Sequence, residues 1–372
     1  MPYIILYCAI LFSGCSPTTH ADFQNEMAMA LAGINSGNTR ITSQKQLASE
    51  LAKNLVKQRQ APDNQEQVTS RSIKDERLND TKDTYQTNFQ KRIALALEKN
   101  KDNNLGVNNT SFEPESDAKV IVAPQASKSN IQYNKTNKIA EDDFALIIGI
   151  SNYDEVTAVE FADNSAYEYK KLLMTTYGLP EENIIILVNK KATSGKIKSK
   201  LRLLTELTEK NSKIYFYYAG HGVPSRKGDA YILPVDMSAD DVEVEPTLRL
   251  DSIYKKLANS KAKKIFAVVD SCFSGKDDNG KLLYKGVAPA LMVKNIKPPS
   301  KMTLITASAS KEFANDYQEQ KHRMMSYFLI KNMATGEKDI KNTYEYIRKK
   351  VKRASLQKGF GYKQVPQLIE SD

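Results

Sequence analysis

The sequence predicts an α/β domain built on a mostly parallel sheet, preceded by a polar N-terminal region. Three observations carry this expectation. Apolar runs recur from Phe144 onward. They are nearly continuous rather than alternating, as strands buried on both faces require. Patterns of helical period separate them, which is the signature of a sheet covered by helices. The runs are Phe144–Ile150, Asn183–Val188, Lys213–Ala219, Lys264–Asp270 and Met302–Thr306. They are rich in Ile, Val, Phe and Tyr, the residues that pack best on a pleated surface. The helical patterns fall at Val159–Tyr177, Ser194–Glu209, Leu248–Ala258, Arg323–Met333 and Asn342–Ala354. About 230 residues suffice for such a domain.

The chain has 372 residues, 41% hydrophobic and 26% charged. That composition excludes a wholly disordered or collagenous protein. The net charge of +10 suits an anionic surface without demanding one. Residues 16–140 are polar and poor in aromatics, and are expected to be partly helical or disordered. Gln44–Gln58 and Tyr85–Lys99 have helical spacing, yet neither is apolar enough to make a core alone. Residues 100–140 read as linker. The cysteines are Cys8, Cys15 and Cys272, so the body of the chain holds one thiol and no internal disulfide framework.

Residues 3–12 form an apolar run of signal-peptide length, short of the roughly 20 residues that a spanning helix needs. The run ends in Phe12-Ser13-Gly14-Cys15, which resembles a bacterial lipoprotein signal. The resemblance implies lipidation of Cys15 and anchorage in the bacterial cell envelope. Ser16 in place of aspartate implies the periplasmic side of the outer membrane. Phe12 stands where leucine is usual, and no basic residue precedes the run. The expected organisation is a signal segment at 1–15, a polar region and linker at 16–140, and the folded domain at 141–372.

Open parallel sheets place their sites beyond the carboxyl ends of the strands. Two of the predicted strands end in unusual loops there. Ile214–Tyr218 runs into Ala219-Gly220-His221-Gly222, and Ile265–Val269 runs into Asp270-Ser271-Cys272-Phe273-Ser274-Gly275. A free thiol is only slightly ionised at neutral pH, and the thiolate is the nucleophile. An imidazole beside it can take the proton and later return it to a leaving amine. Gly222 permits close backbone approach, and the amides of Gly222 and Cys272 are candidate oxyanion donors.

These residues carry a family resemblance. Ala145–Ile150 with Asn152-Tyr153, then Tyr217–Gly222, Tyr231–Asp236 and Asp270–Gly275, resemble the caspase-like cysteine peptidases, above all the bacterial and metacaspase branch. Ile305–Ser310, Ser326–Leu329 and Gln364–Gln367 extend the match. Cys272 lies 51 residues after His221, close to the interval of about 50 in the caspase signature. The resemblance implies a three-layer caspase-like sandwich and a cysteine endopeptidase. In it, His221 and Cys272 form the catalytic dyad, and Gly222 with Cys272 the oxyanion hole. Asp270 is implied as the acid at the floor of the S1 pocket, selecting Arg or Lys. One departure bears on that pocket. Metacaspases carry a second acid in an Asn-Asp-Ala motif, and here Asn164-Ser165-Ala166 has serine, with Asp163 just before it.

Some relatives use calcium. Asp236 matches one such position, and Asp251, Asp277 and Asp278 stand loosely near it in sequence. Their spacing assembles no loop of six to eight oxygen ligands, so no metal is expected. The basic run Arg348–Lys350, with Lys352 and Arg353, is expected to be the wet face of a helix, and nucleic acid is not an expected partner. The expected partners are a protein or peptide substrate and, through Cys15, a membrane. Self-processing within Lys128–Lys138 is a further expectation. Two other classes stay open: a catalytically silent caspase-fold binding or regulatory module at a bacterial membrane, and an anionic-surface binder using the basic helix.

Overall fold

The computed structural model describes residues 130–277, 281–284, 293, 294, 296–308 and 312–371. All belong to the unit Glu76–Asp372. The helical expectations at 44–58 and 85–99 and the signal segment lie outside the described residues.

The continuous apolar runs become strands β1 (Phe144–Gly149), β2 (Ile184–Val188), β3 (Lys213–Ala219), β6 (Lys264–Asp270) and β7 (Met302–Thr306). Short hairpins add β4 (Gly222–Pro224) with β5 (Ala230–Ile232), and β8 (Asp316–Tyr317) with β9 (His322–Arg323). A final strand, β10 (Gln367–Glu370), closes one edge. The main sheet has the order β10-β7-β6-β3-β1-β2. All neighbours are parallel except β10, which runs antiparallel to β7.

Among the described residues, five helices cover the sheet: α1 (Ala162–Thr175), α2 (Ser194–Leu207), α3 (Leu250–Ala258), α4 (Met324–Met333) and α5 (Ile340–Lys358). Alternate strand residues explain why both faces are covered. Leu146, Ile148, Phe216, Tyr218 and Val269 pack with Leu201 and Leu204 of α2 and Ile253 and Leu257 of α3. Ala145, Ile147, Tyr217 and Val268 pack with Tyr169 of α1, Leu329 of α4 and Ile347 of α5. The result is a three-layer α/β/α sandwich, as the near-continuous hydrophobicity predicts.

The helix ends are set by local chemistry. Thr193 caps α2, its hydroxyl accepting from Lys196 N at 3.3 Å, and Asp339 caps α5, accepting from Lys341 N at 2.7 Å. The apolar pattern suggests a start for α1 at Val159. That amide instead donates to Ser151 O at 2.9 Å, and Phe161 is left-handed at φ 62°, so the helix begins at Ala162. Pro246–Leu248 form a separate 3₁₀ turn, so α3 starts at Leu250 rather than Leu248.

Residues 131–140, read from composition as linker, are docked. Ile131 is buried, Asn134 N donates to Ala334 O at 2.7 Å, and Ala140 N donates to Gly178 O at 2.9 Å. Gly178 (φ +73°) is needed there, because an added Cβ would sit 1.9 Å from Lys138 O. Tyr133 Oη donates to Glu168 on α1. The packed body therefore begins before residue 141. Among the described residues, no helix is long and apolar enough to cross a membrane.

His322 is buried between α1 and α4, and that burial holds its pKa below the usual 6.5. Such a histidine takes up its proton more readily in the unfolded chain. Stability is therefore complete above pH 6.5 and is lost as pH falls below it, by at most about 1.4 kcal/mol per pH unit. Melting curves at pH 7.5 and 5.5 are expected to show a smaller acid-induced drop in His322→Gln than in the parent chain. An equal drop would assign the acid sensitivity to other groups.

Candidate active site

The strands β3 and β6 pair in parallel from Lys213↔Lys264 to Ala219↔Asp270. The ladder ends there, two residues short of His221 on one strand and of Cys272 on the other. Cys272 packs, partly buried, against the core that holds Tyr217 and Val268. Two contacts hold the strand exits together. Ser271 Oγ donates to Gly220 O at 2.8 Å. Gly222 lies so close to the next loop that an added Cβ would meet the Phe273 ring at 2.5 Å and Cys272 O at 2.6 Å. Hydrogen is the only side chain that fits.

His221 is buried and held on every side. Its amide donates to Tyr153 Oη at 2.8 Å, and its carbonyl accepts from Tyr218 Oη at 2.5 Å. The Tyr153 ring lies 4.9 Å from the imidazole. Ring Nε2 lies 2.7 Å from the carbonyl oxygen of Thr157. A carbonyl only accepts, so Nε2 carries the hydrogen and Nδ1 is the basic nitrogen of the neutral ring. Tyr153 reaches this place because the exit of β1 is pinned. Asn189 Oδ1 accepts from the amides of Ser151 and Asn152 at 2.8 and 3.1 Å, and Asp163 Oδ1 accepts from Ser151 Oγ at 2.7 Å.

Cys272 is a half-buried free thiol. Its sulfur lies 3.0 Å from Ser274 Oγ and 3.4 Å from the carbonyl oxygen of Glu312. Glu312 is fixed in turn by the Gln364–Gln367 stretch. Its carboxylate accepts from Val365 N at 2.8 Å and pairs with Lys363 at 3.0 Å. Gln364, fully buried, donates to Ala307 O at 3.1 Å and accepts from Asn315 N at 2.9 Å.

Asp270 ends β6, two residues before Cys272, and is fully buried. Its Oδ2 accepts from Ser326 N at 2.9 Å and Ser326 Oγ at 2.6 Å, in the first turn of α4. Tyr217 Oη lies 2.6 Å from Ser326 Oγ, and burial first, then the charge of Asp270, drive the Tyr217 pKa up. Ser165 does not stand in for a second acid. Its hydroxyl accepts from Arg323 N at 2.9 Å, beside the buried Arg323 guanidinium, which donates to Ala314 O. Asp163 is spent on Ser151 and on Asn189, whose Nδ2 donates to it at 2.9 Å.

The caspase-domain model of peptidase family C14 matches residues 142–372. The chain belongs to that family. Metacaspase-1 of Eremothecium gossypii is 26% identical over 145 residues, covering 35% of this chain and 31% of that protein. Metacaspase-1A of Aspergillus oryzae is 25% identical over 147 residues, covering 35% and 34%. The match thus spans about a third of the length of these curated relatives. Among solved structures, a Geobacter sulfurreducens protein aligns at a TM-score of 0.47 and 15% identity, covering 62% of this chain and 94% of that one. Caspase-1 of Spodoptera frugiperda aligns at 0.39 and 16%, covering 71% and 94%.

Three of the acids considered for calcium are engaged by protein groups. Asp236 accepts from Ser194 N at 2.7 Å at the start of α2, Asp251 pairs with Arg249 and Lys255, and Asp277 accepts from Thr157 Oγ1 at 2.9 Å. Among the described residues, no three His, Cys, Asp or Glu gather as a metal site. Asp278 and Cys15 lie outside the described residues. The basic run lies on the exposed side of α5, with Ile347 and Val351 buried opposite. Thr157 was not legible as a site residue, because a backbone carbonyl has no side-chain signature. Tyr153 was legible only through its motif.

Gly222→Ala is expected to force the two strand exits apart while leaving both reactive side chains in the chain. Alkylation of Cys272 by iodoacetamide, followed on its tryptic peptide, should slow at pH 7 by roughly tenfold or more, and the melting temperature should fall. Unchanged alkylation would mean that the two loops do not pack as described.

Proposed function

We propose that this caspase domain is a cysteine endopeptidase using His221 and Cys272 as its dyad. The single observation behind this is the shared register of β3 and β6, whose last pair, Ala219 with Asp270, lies two residues before this histidine and this thiol. In this reading His221 Nδ1 takes the thiol proton, and the thiolate attacks the scissile carbonyl carbon. The amides of Gly222 and Cys272 receive the oxyanion. The tetrahedral adduct collapses to a thioester as His221 returns the proton to the leaving amine. Water, deprotonated by His221, then releases the acid and regenerates the thiol. The Nε2–H bond to Thr157 O supports these roles, since it leaves Nδ1 as the base.

Asp270 is proposed as the acid that selects Arg or Lys at the cleaved position. It is supported by its place two residues before Cys272, and by the Ser326 donors that fix its orientation. The reading uses no metal. Cleavage profiling on a random peptide library tests it. Cys272→Ala and His221→Ala should each lose activity by about a thousandfold or more. Asp270→Asn should lose basic-site cleavage selectively, and a calcium chelator should change nothing. Full activity of Cys272→Ala would overturn the reading.

We also propose that Cys15 is lipidated, placing the domain at the periplasmic face of the outer membrane, and that the chain processes itself at Lys135 or Lys138. Both lysines are exposed on the docked segment, which must leave the domain before it can be cut. Intact mass of the protein from its host should show a diacylated Cys15 terminus. Fragments at Lys135 or Lys138 should appear in the parent chain and be missing in Cys272→Ala.

A further inference from the structure

We propose that Asp277 is a positioning residue for the dyad, acting through the side chain of Thr157. The inference rests on the peptidase reading and deepens it. Thr157 is bonded in two directions. Its carbonyl oxygen receives His221 Nε2 at 2.7 Å, and its hydroxyl donates to Asp277 Oδ2 at 2.9 Å.

The two ends of this relay are unlike. Thr157 lies in the connection from β1 to α1, which has no strand or helix of its own at this point, so no ladder holds its carbonyl. Asp277 is buried and firmly placed on the loop that carries Cys272. Its Oδ1 accepts from Lys281 N at 2.8 Å, and its own amide donates to Lys281 O at 2.8 Å. Leu283 N donates to Gly275 O at 3.0 Å, and Lys276 bridges Leu282. The carboxylate is thus fixed by its own loop and holds Thr157 from outside.

The bonds close a ring. It runs from His221 to Thr157, to Asp277, back along the loop to Cys272 and Ser271, and across to Gly220, next to His221. The loop of the nucleophile therefore sets the tautomer and tilt of the base. The chemistry explains the residue type. Each oxygen of Asp277 serves as an acceptor, one for Thr157 Oγ1 and one for Lys281 N, and only a carboxylate offers two acceptors. An asparagine would turn a donor toward one of these partners.

The pH dependence of Cys272 alkylation by iodoacetamide, read by mass spectrometry on the Cys272 peptide of the full chain, tests the relay without needing a substrate. Thr157→Val keeps the carbonyl and loses the hydroxyl. It should slow alkylation at pH 6.5 by roughly tenfold and move the midpoint toward that of an ordinary thiol, about 8.5. Asp277→Ala should do the same, and the double variant should be no slower than either single one. Thr157→Ser, which restores the hydroxyl, should stay within about twofold of the parent. Should Asp277→Ala fail to fold, the Thr157→Val and Thr157→Ser pair decides alone. A parent-like profile in Thr157→Val overturns the relay, as does an additive double variant. His221→Ala separates the two readings. If it leaves the profile unmoved, the dyad itself fails. If it shifts the profile and Thr157→Val does not, only the relay fails.

Discussion

The in-register pairing of β3 with β6 is the constraint on which the site depends. Adjacent strands lie about 5 Å apart, and side chains alternate between faces with a period of two. The ladder closes with Ala219 opposite Asp270, so His221 and Cys272 each follow its last pair by two residues. A slip of one residue would turn every side chain of one strand toward the wrong core. The register is protected where it matters. Ile214 through Tyr218 fill both cores, and the Ser271–Gly220 bond ties the strands just past their last ladder pair.

Much of the architecture was legible because its signal is simple. Lys213–Ala219, Lys264–Asp270 and Met302–Thr306 were read to the residue, since continuous apolar runs flanked by charge leave little choice. The helix starts were less so. Val159 belongs to the apolar face by spacing, but its amide goes to Ser151, a tertiary bond that no local pattern announces. The docked segment was hidden for the opposite reason. Residues 130–140 are polar and look like linker, and one buried isoleucine with a few backbone bonds gives no periodicity. The edge strand β10 is short and half-buried, too weak a pattern to stand out.

The site divides in the same way. His221 and Cys272 announce themselves by type and position. Their supports do not, because they act through backbone atoms. Thr157 contributes a carbonyl to the imidazole, and Glu312 contributes a carbonyl beside the sulfur. The Gln364–Gln367 stretch was visible only as a motif, and its physical work is to hold Glu312 and Asn315 in place. Ser165 was legible as a departure from the metacaspase pattern. What it does instead is receive the amide of Arg323 and help seat a buried guanidinium next to α4.

Gly222 separates architecture from chemistry. The position has no room for any heavier group, because a neighbouring ring and carbonyl already occupy the space. That demand comes from packing and persists whether or not the domain turns over a substrate. A lineage that abandoned hydrolysis would be free to let the imidazole and the sulfur drift, yet would still be obliged to keep the glycine. Its survival in a descendant is therefore evidence of an inherited shape, and loss of the two reactive groups beside it is the mark of a retired enzyme.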